Sequence, residues 1–323
     1  MKDVMMIGAG RHGLKVVYPS TELAGGNIVA VSTRHYDHAY KVVKRYNPDG
    51  LAYDDYQKML KEVDCDHVVI CLQAEDALEV VKQCIQAKKN VFVEKPCGMD
   101  ADTAYKIYQL AQMYQVKVHV GFMKRYADTY VKLKKIIEDK TYGKAISFTS
   151  TFYVDARMFC KDDHSFIYYV AIHMLDLYRF LFNDIHLIKV IKSSIGDGTS
   201  YHCLFENHQG VIGSANFENR SAHTQECEGV QVTFENGYVV SNNIESLRTH
   251  QSKTMDNGFH TLSEVYTSYE VNYSPASGYE KDLYLRGFVG EMEAYLKDMS
   301  DYSMDNYKTN LLCDELLMQL TNN

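Results

Sequence analysis

Four short runs in this chain carry residue types and spacings suited to chemistry: Gly8-Ala9-Gly10-Arg11-His12-Gly13, Thr33-Arg34-His35, Glu94-Lys95-Pro96 and His173-Met174-Leu175-Asp176. The first follows an apolar run, Val4-Met5-Met6-Ile7, and leads into a helical stretch from Leu14 to Leu23 and a second apolar run from Asn27 to Ser32. Glycines at that spacing between a strand and a helix have separate uses. Gly8 permits a tight turn, Gly10 lets a pyrophosphate approach the backbone, and Gly13 lets the helix pack closely on the strand, so that phosphates sit at the helix start. The expectation is a dinucleotide site in which Arg11 and His12 stand beside the phosphates.

The end of the second strand speaks to which dinucleotide. A carboxylate about 20 residues past the glycines receives the ribose hydroxyls of NAD, whereas a neutral residue followed by Arg suits a 2'-phosphate. Thr33-Arg34-His35 has no carboxylate, and the Arg34 guanidinium can pair with a phosphate through two bonds. NADP is therefore expected, with NAD as the other possibility. Glu94 and Lys95 end an apolar strand, where open α/β sheets bind ligands, so Lys95 is expected to face the cofactor. Leu72 and Gln73, at the end of the run Asp66 to Leu72, are assigned to the same site. His173 and Asp176, three apart, share a helix face, where the carboxylate can influence the imidazole. Lys124-Arg125 reads either as a cation pair beside a substrate or as a surface pair.

The elements that must position these residues alternate between strand and helix and then change character. Asp66 to Leu72, Asn90 to Val93 and Val116 to Val120 read as strands, with helices over Asp76 to Ala87, Ala101 to Tyr114 and Thr129 to Glu138. Up to about residue 122 this is a doubly wound parallel sheet. From Lys144 the strands lengthen and alternate: Ala145 to Tyr153, His186 to Ser194, Ser200 to Phe205, Gly210 to Phe217, Val230 to Phe234 and Tyr238 to Val240. Such patterning predicts a large, mostly antiparallel sheet. One long helix is expected over Phe166 to Phe182, and terminal helices over Tyr279 to Met299 and Asn306 to Leu320. The domains are placed at residues 1–122 and 123–323, with the C-terminal helix able to pack back on the first.

Composition narrows the classes. The chain has 323 residues, 46% of them hydrophobic, enough for two domains with sizeable cores. No apolar run reaches the ~20 residues of a membrane span, and no signal-peptide pattern stands at the N-terminus, so a cytoplasmic location is expected. A net charge of -8 without a Lys/Arg run disfavours nucleic acid as partner. Eight Cys without a CxxC spacing indicate neither a disulfide framework nor a metal site; several should behave as small hydrophobes. Among the 26 Tyr, the clusters Tyr168-Tyr169 and Tyr266, Tyr269 and Tyr273 read as pocket lining or as strand and interface residues.

Taken together, these motifs resemble the glucose-fructose oxidoreductase, inositol dehydrogenase and MocA family over nearly the whole length. Matching segments are Gly8 to Gly13, the Asp66 to Leu72 strand, Glu94-Lys95-Pro96, Val120-Gly121-Phe122-Met123-Lys124-Arg125-Tyr126, Tyr142-Gly143-Lys144 and Ile172-His173-Met174-Leu175-Asp176. The resemblance implies an N-terminal Rossmann domain, a C-terminal α+β domain whose open sheet mediates dimers or tetramers, and hydride transfer between a nicotinamide cofactor and a sugar, polyol or related carbonyl compound. By carry-over, Lys95 polarises the reacting oxygen, His173 moves the proton, and Lys124, Arg125, Tyr169 and Asp176 lie on the substrate side. The chain departs from the family where an Asp usually stands four residues before the His, which is here Tyr169, and where a Gly usually stands two before it, here Ala171. A Tyr hydroxyl titrates near pH 10, so Tyr169 serves better as a hydrogen-bond donor than as a base. A non-catalytic dinucleotide sensor on the same fold is the competing expectation.

Overall fold

The apolar run at the N-terminus becomes the centre of a sheet. In the computed structural model, which describes residues 1–220, 226–251, 266–271, 280–297 and 302–321, Val4, Met5 and Met6 are wholly buried in strand β1 (Lys2–Ile7). Continuous burial is what a strand covered on both faces requires. The first sheet is completed by β2 (Gly26–Ser32), β3 (Leu51–Tyr53), β4 (His67–Ile70), β5 (Asn90–Glu94) and β6 (Val118–Gly121), all parallel, in the order β3-β2-β1-β4-β5-β6. The order reverses direction at β1, and the loops after β1 and β4 there splay apart into a crevice.

Two of the helices between these strands begin at a side-chain cap. Asp100 accepts from the Thr103 amide at 2.6 Å ahead of Ala101–Tyr114, and Asp55 accepts from the Gln57 amide at 2.8 Å ahead of Tyr56–Glu62. The latter helix, the helix Tyr36–Tyr46 and strand β3 had no counterpart in the sequence reading. Asp55 was the visible signal of the helix Tyr56–Glu62.

The second sheet has eight strands: β7 (Ala145–Tyr153), β8 (Ile185–Ile195), β9 (Gly198–Asn207), β10 (Ile212–Glu218), β11 (Cys227–Phe234), β12 (Gly237–Asn242), β13 (Ser246–Gln251) and β14 (Tyr266–Glu270). Their order is β14-β13-β12-β11-β7-β10-β9-β8, antiparallel except where β7 and β10 run parallel. Alternation along β7 sends Phe148, Ser150 and Phe152 inward, where Phe148 stacks on Phe182 of the helix Ile172–Phe182 at 4.5 Å. Its outward residues Ser147, Thr149 and Thr151 lie in register with Ile212, Ser214 and Asn216. That outer face is rich in Ser and Thr, with Ile191, Leu204 and Ile212 as exposed apolar positions.

The chain divides into two compact units, Met1–Met123 with Gly287–Leu311, and Lys124–Arg286 with Leu312–Asn323. The sequence places the boundary after residue 122 with the C-terminal helix able to pack back on the first domain, and residues 287–311 fall in the first unit. Within the first unit, Met292, Tyr295 and Leu296 of the helix Phe288–Leu296 join the core formed by Val4, Met6, Ile28, Val31 and Phe92. The Tyr295 hydroxyl lies within hydrogen-bond distance of the carbonyls of Val68 (3.1 Å) and Asn90 (3.0 Å). The expected helix Tyr279 to Met299 is two helices, Glu280–Leu285 and Phe288–Leu296, because Gly287 takes a φ of +91° between them; Tyr279 and Met299 lie outside the described residues. The long helix expected over Phe166 to Phe182 contains a π-helical turn at Ile167–Ala171. All eight cysteines are free thiols, and burial pushes those of Cys84 and Cys97 up to about 12.

Candidate functional site

The glycine run forms a turn anchored from three sides. The Gly8 amide donates to the Ser32 carbonyl at 2.9 Å, the Tyr18 hydroxyl donates to the Gly8 carbonyl at 2.9 Å, and the Cys71 amide donates to the Ile7 carbonyl at 2.8 Å. Gly8 has a φ of +88°, and a Cβ there would lie 2.5 Å from the Cys71 carbonyl oxygen. Only glycine fits. At Gly13 a Cβ would come within 3.2 Å of Cys71 Cβ, so glycine there lets the helix start approach the end of β4. Gly10 differs from both: a Cβ would meet nothing within 4 Å. The absence of a side chain at Gly10 serves no internal packing and leaves room for a ligand. The helix that starts here has a π-helical turn over Gly13–Val17, and the segment before His173 has the other, a feature frequent at functional sites.

Gly8 and Gly10 line an open cleft of about 910 Å³ at the carboxyl ends of the strands. Thr33, Arg34 and His35 line it after β2, and Leu72 and Gln73 after β4. His38 reaches back so that its Nε2 is 3.1 Å from the Ala9 carbonyl oxygen, tying the helix after β2 to the glycine turn. Asp54, Asp55 and Tyr56, after β3, also line the cleft, as does Asp76. The sequence reading missed these three carboxylates, although the Asp55 cap was a usable signal. Cleft size, the open position at Gly10 and the ring of strand ends fit a dinucleotide.

Arg11, His12, Gly13, Glu94 and Lys95 stand outside the lining of that cleft. His12 Nε2 lies 3.1 Å from Glu94 Oε1. This bond raises the imidazole above its ordinary range, while burial and the Lys95 charge act in the opposite direction. Lys95 is half-buried at the end of β5, followed by a cis bond to Pro96.

In the second unit, His173 and Tyr169 are half-buried on the helical segment Asp163–Phe182, Tyr169 within the π-helical turn. Asp176, three residues from His173, also has a partner that the spacing does not show. Asp176 is 1% exposed and takes both bonds of the Arg125 guanidinium, Nε to Oδ2 at 2.7 Å and Nη2 to Oδ1 at 2.6 Å. Lys124 is 2% exposed and pairs with Glu228, which also accepts from the Tyr130 hydroxyl at 2.7 Å. Lys124, Arg125 and Asp176 are thus neither a surface pair nor open to a substrate. They neutralise charges inside the second unit, as buried charges must be. Tyr168 is core, its hydroxyl donating to Asp314 at 2.6 Å, while Tyr266 and Tyr269 lie on exposed strand β14 and Tyr273 lies outside the described residues.

A parallel sheet with a glycine turn at its switch point is the architecture of a dinucleotide-binding Rossmann domain, here followed in the chain by a large open sheet. Residues 2–122 match the oxidoreductase family with an NAD-binding Rossmann fold, GFO_IDH_MocA. It is 28% identical over 183 residues to an inositol 2-dehydrogenase/D-chiro-inositol 3-dehydrogenase of Lactiplantibacillus plantarum, a match covering 56% of this chain and 52% of that protein. The chain therefore spans about half the length of the curated relatives it matches. Among solved structures, it shares its fold with a levoglucosan dehydrogenase in complex with NADH and levoglucosan (TM-score 0.82, 15% identity, covering 99% of this chain and 97% of that one). It also shares it with KijD10, a 3-ketoreductase from Actinomadura kijaniata in complex with NADP (TM-score 0.73, 16% identity, 98% and 97%).

Proposed function

We propose that this chain is an NAD(P)-dependent oxidoreductase that transfers a hydride between nicotinamide C4 and a carbonyl or hydroxyl carbon of a sugar, polyol or related small molecule. The open position at Gly10, in a cleft built from the loops after β1 to β4, carries the reading. The bound dinucleotide supplies or accepts the hydride. Gly8 and Gly10 shape its seat, Lys95 polarises the reacting oxygen, His173 moves the proton, and Tyr169 adds a hydrogen-bond donor; the last three roles rest on the motif match. NADP is the proposed cofactor, supported by Arg34 in the cleft lining and by the missing carboxylate after β2. Asp54 and Asp55 in the same lining favour a second reading, NAD, whose ribose hydroxyls they can receive. The outer face of the second sheet is the proposed interface of a homo-oligomer. Eight free thiols fit a reducing, cytoplasmic compartment.

Thermal shifts with NADPH and NADH, followed by a carbonyl and polyol panel read by NADPH absorbance, test the proposal. Lys95→Met should lower turnover by on the order of a hundredfold while dinucleotide binding survives. His173→Ala should cost roughly 10²–10⁴ in rate. Tyr169→Phe should slow turnover if the hydroxyl contributes, and a packed ring would leave it unchanged. Dinucleotide binding with no turnover across the panel would support the sensor reading instead.

A further inference from the structure

Three ionisable side chains far apart in sequence meet near the end of β5. His12 Nε2 is 3.1 Å from Glu94 Oε1. Glu291, on the helix Phe288–Leu296, is 1% exposed, and its Oε2 has no hydrogen-bond partner. From the same helix Phe288 stands edge-on to the imidazole at 6.0 Å. The charged and titratable groups facing this cluster are Glu94 and Lys95 from the end of β5, Cys71 from the end of β4 and Glu291 from the helix, with Arg11 adjacent in the chain.

Their charges can be assigned from their surroundings. Burial first, and the Glu94 charge second, push the Glu291 carboxyl well above the usual carboxylate range, which favours its neutral form. Burial, aided by the Glu94 charge, likewise holds the Cys71 thiol protonated. Glu94 faces His12 at 3.1 Å, and their bond favours the imidazolium. With His12 charged, the His12, Glu94 and Glu291 side chains sum to zero; with His12 neutral, they sum to one negative charge. His12 stands two residues beyond the cleft-lining Gly10, and its side chain is 53% exposed. A dinucleotide brings its pyrophosphate charges to that turn.

We propose that His12 is an affinity-determining residue for the dinucleotide: bonded to Glu94 and standing two residues beyond the cleft-lining Gly10, its exposed imidazole favours the pyrophosphate at the glycine turn. The inference rests on the cofactor reading above and deepens it. Raising the pH through the titration of His12 removes the positive charge and leaves Glu94 uncompensated, so affinity is greatest below that titration and falls above it. The effect belongs to the pyrophosphate and is shared by both dinucleotides, whereas Arg34 bears on the 2'-phosphate alone.

The test is titration of the full chain with NADH and, separately, NADPH, followed by ligand fluorescence from pH 7 to 9. This range lies above the second ionisation of a phosphate, near 6. A unit charge acting over a few ångströms at a hydrated surface is expected to raise both dissociation constants about three- to tenfold across the range. His12→Gln should flatten the dependence, and Glu94→Gln should move it below pH 7. In the unsubstituted protein without ligand, the His12 ring proton resonance, assigned by its loss in His12→Gln or His12→Asn, should titrate above the ordinary range. A dissociation constant that stays level from pH 7 to 9, or the same slope in the His12 variants, would overturn this inference and leave the proposed function standing. Failure to bind either dinucleotide at any pH would overturn both.

Discussion

Gly8 and Gly10, two residues apart in one motif, should respond to the same substitution in opposite ways. In Gly8→Ala the new methyl must enter a left-handed backbone conformation, φ +88°, with its Cβ 2.5 Å from the Cys71 carbonyl oxygen and 2.7 Å from Leu72 Cδ2. The left-handed conformation costs about 1–2 kcal/mol and the forced overlap about 1–3 kcal/mol, roughly 2–5 kcal/mol together. Gly10→Ala meets nothing within 4 Å and needs no positive φ. Its loss of unfolded-chain freedom should stabilise the fold by about 0.4–1 kcal/mol. Its methyl occupies the space proposed for the pyrophosphate, and binding of NADPH should weaken about ten- to a hundredfold, or about 1.4–2.7 kcal/mol. Thermal melts and fluorescence titrations on both variants separate the effects. Gly10→Ala that binds NADPH within about twofold of the parent, or melts well below it, would refute this assignment of the cleft.

Arg34→Ala should weaken NADPH about ten- to a hundredfold and barely change NADH, since one charge-assisted contact is lost; equal affinity of the parent for both dinucleotides would favour the NAD reading. Either Arg125→Met or Asp176→Asn should destabilise the fold by about 3–5 kcal/mol in urea unfolding, because each leaves a buried charge without its partner; the double variant Arg125→Met/Asp176→Leu should lose less than the two single losses added. Light scattering should report a mass above the 37.1 kDa of one chain, and Ile191→Asp/Leu204→Asp on the outer sheet face should return it to that value.

Much of the fold is determined locally and was legible for that reason. The unbroken burial of β1 and the alternation along β7 follow from which faces of each strand are covered, and Ala101–Tyr114 and Ala145–Tyr153 fall where the pattern predicts them. The glycine turn is legible as a motif, but the crowding that demands glycine at Gly8 and Gly13 comes chiefly from Cys71 and Leu72 at the end of β4, neighbours that only the folded sheet supplies. Lost from that reading were β3, three residues long, and the helices Tyr36–Tyr46 and Tyr56–Glu62 on either side of it in the chain. The break at Gly287 was lost too, since a glycine inside a helical pattern announces a positive φ only when packing demands one.

The electrostatic partners were decided by tertiary structure alone. Lys124 and Glu228 are 104 residues apart, Arg125 and Asp176 are 51, and His12 and Glu94 are 82. Sequence spacing suggested that Asp176 serves His173, because helix neighbours are the only pairs a spacing can reveal. The folded chain gives Asp176 to a buried guanidinium, since a charge taken out of water needs an opposite charge in contact, whatever its distance along the chain. Residue types and turns thus follow from the sequence itself, while the choice of partner for each buried charge follows from which strands and helices the fold brings together.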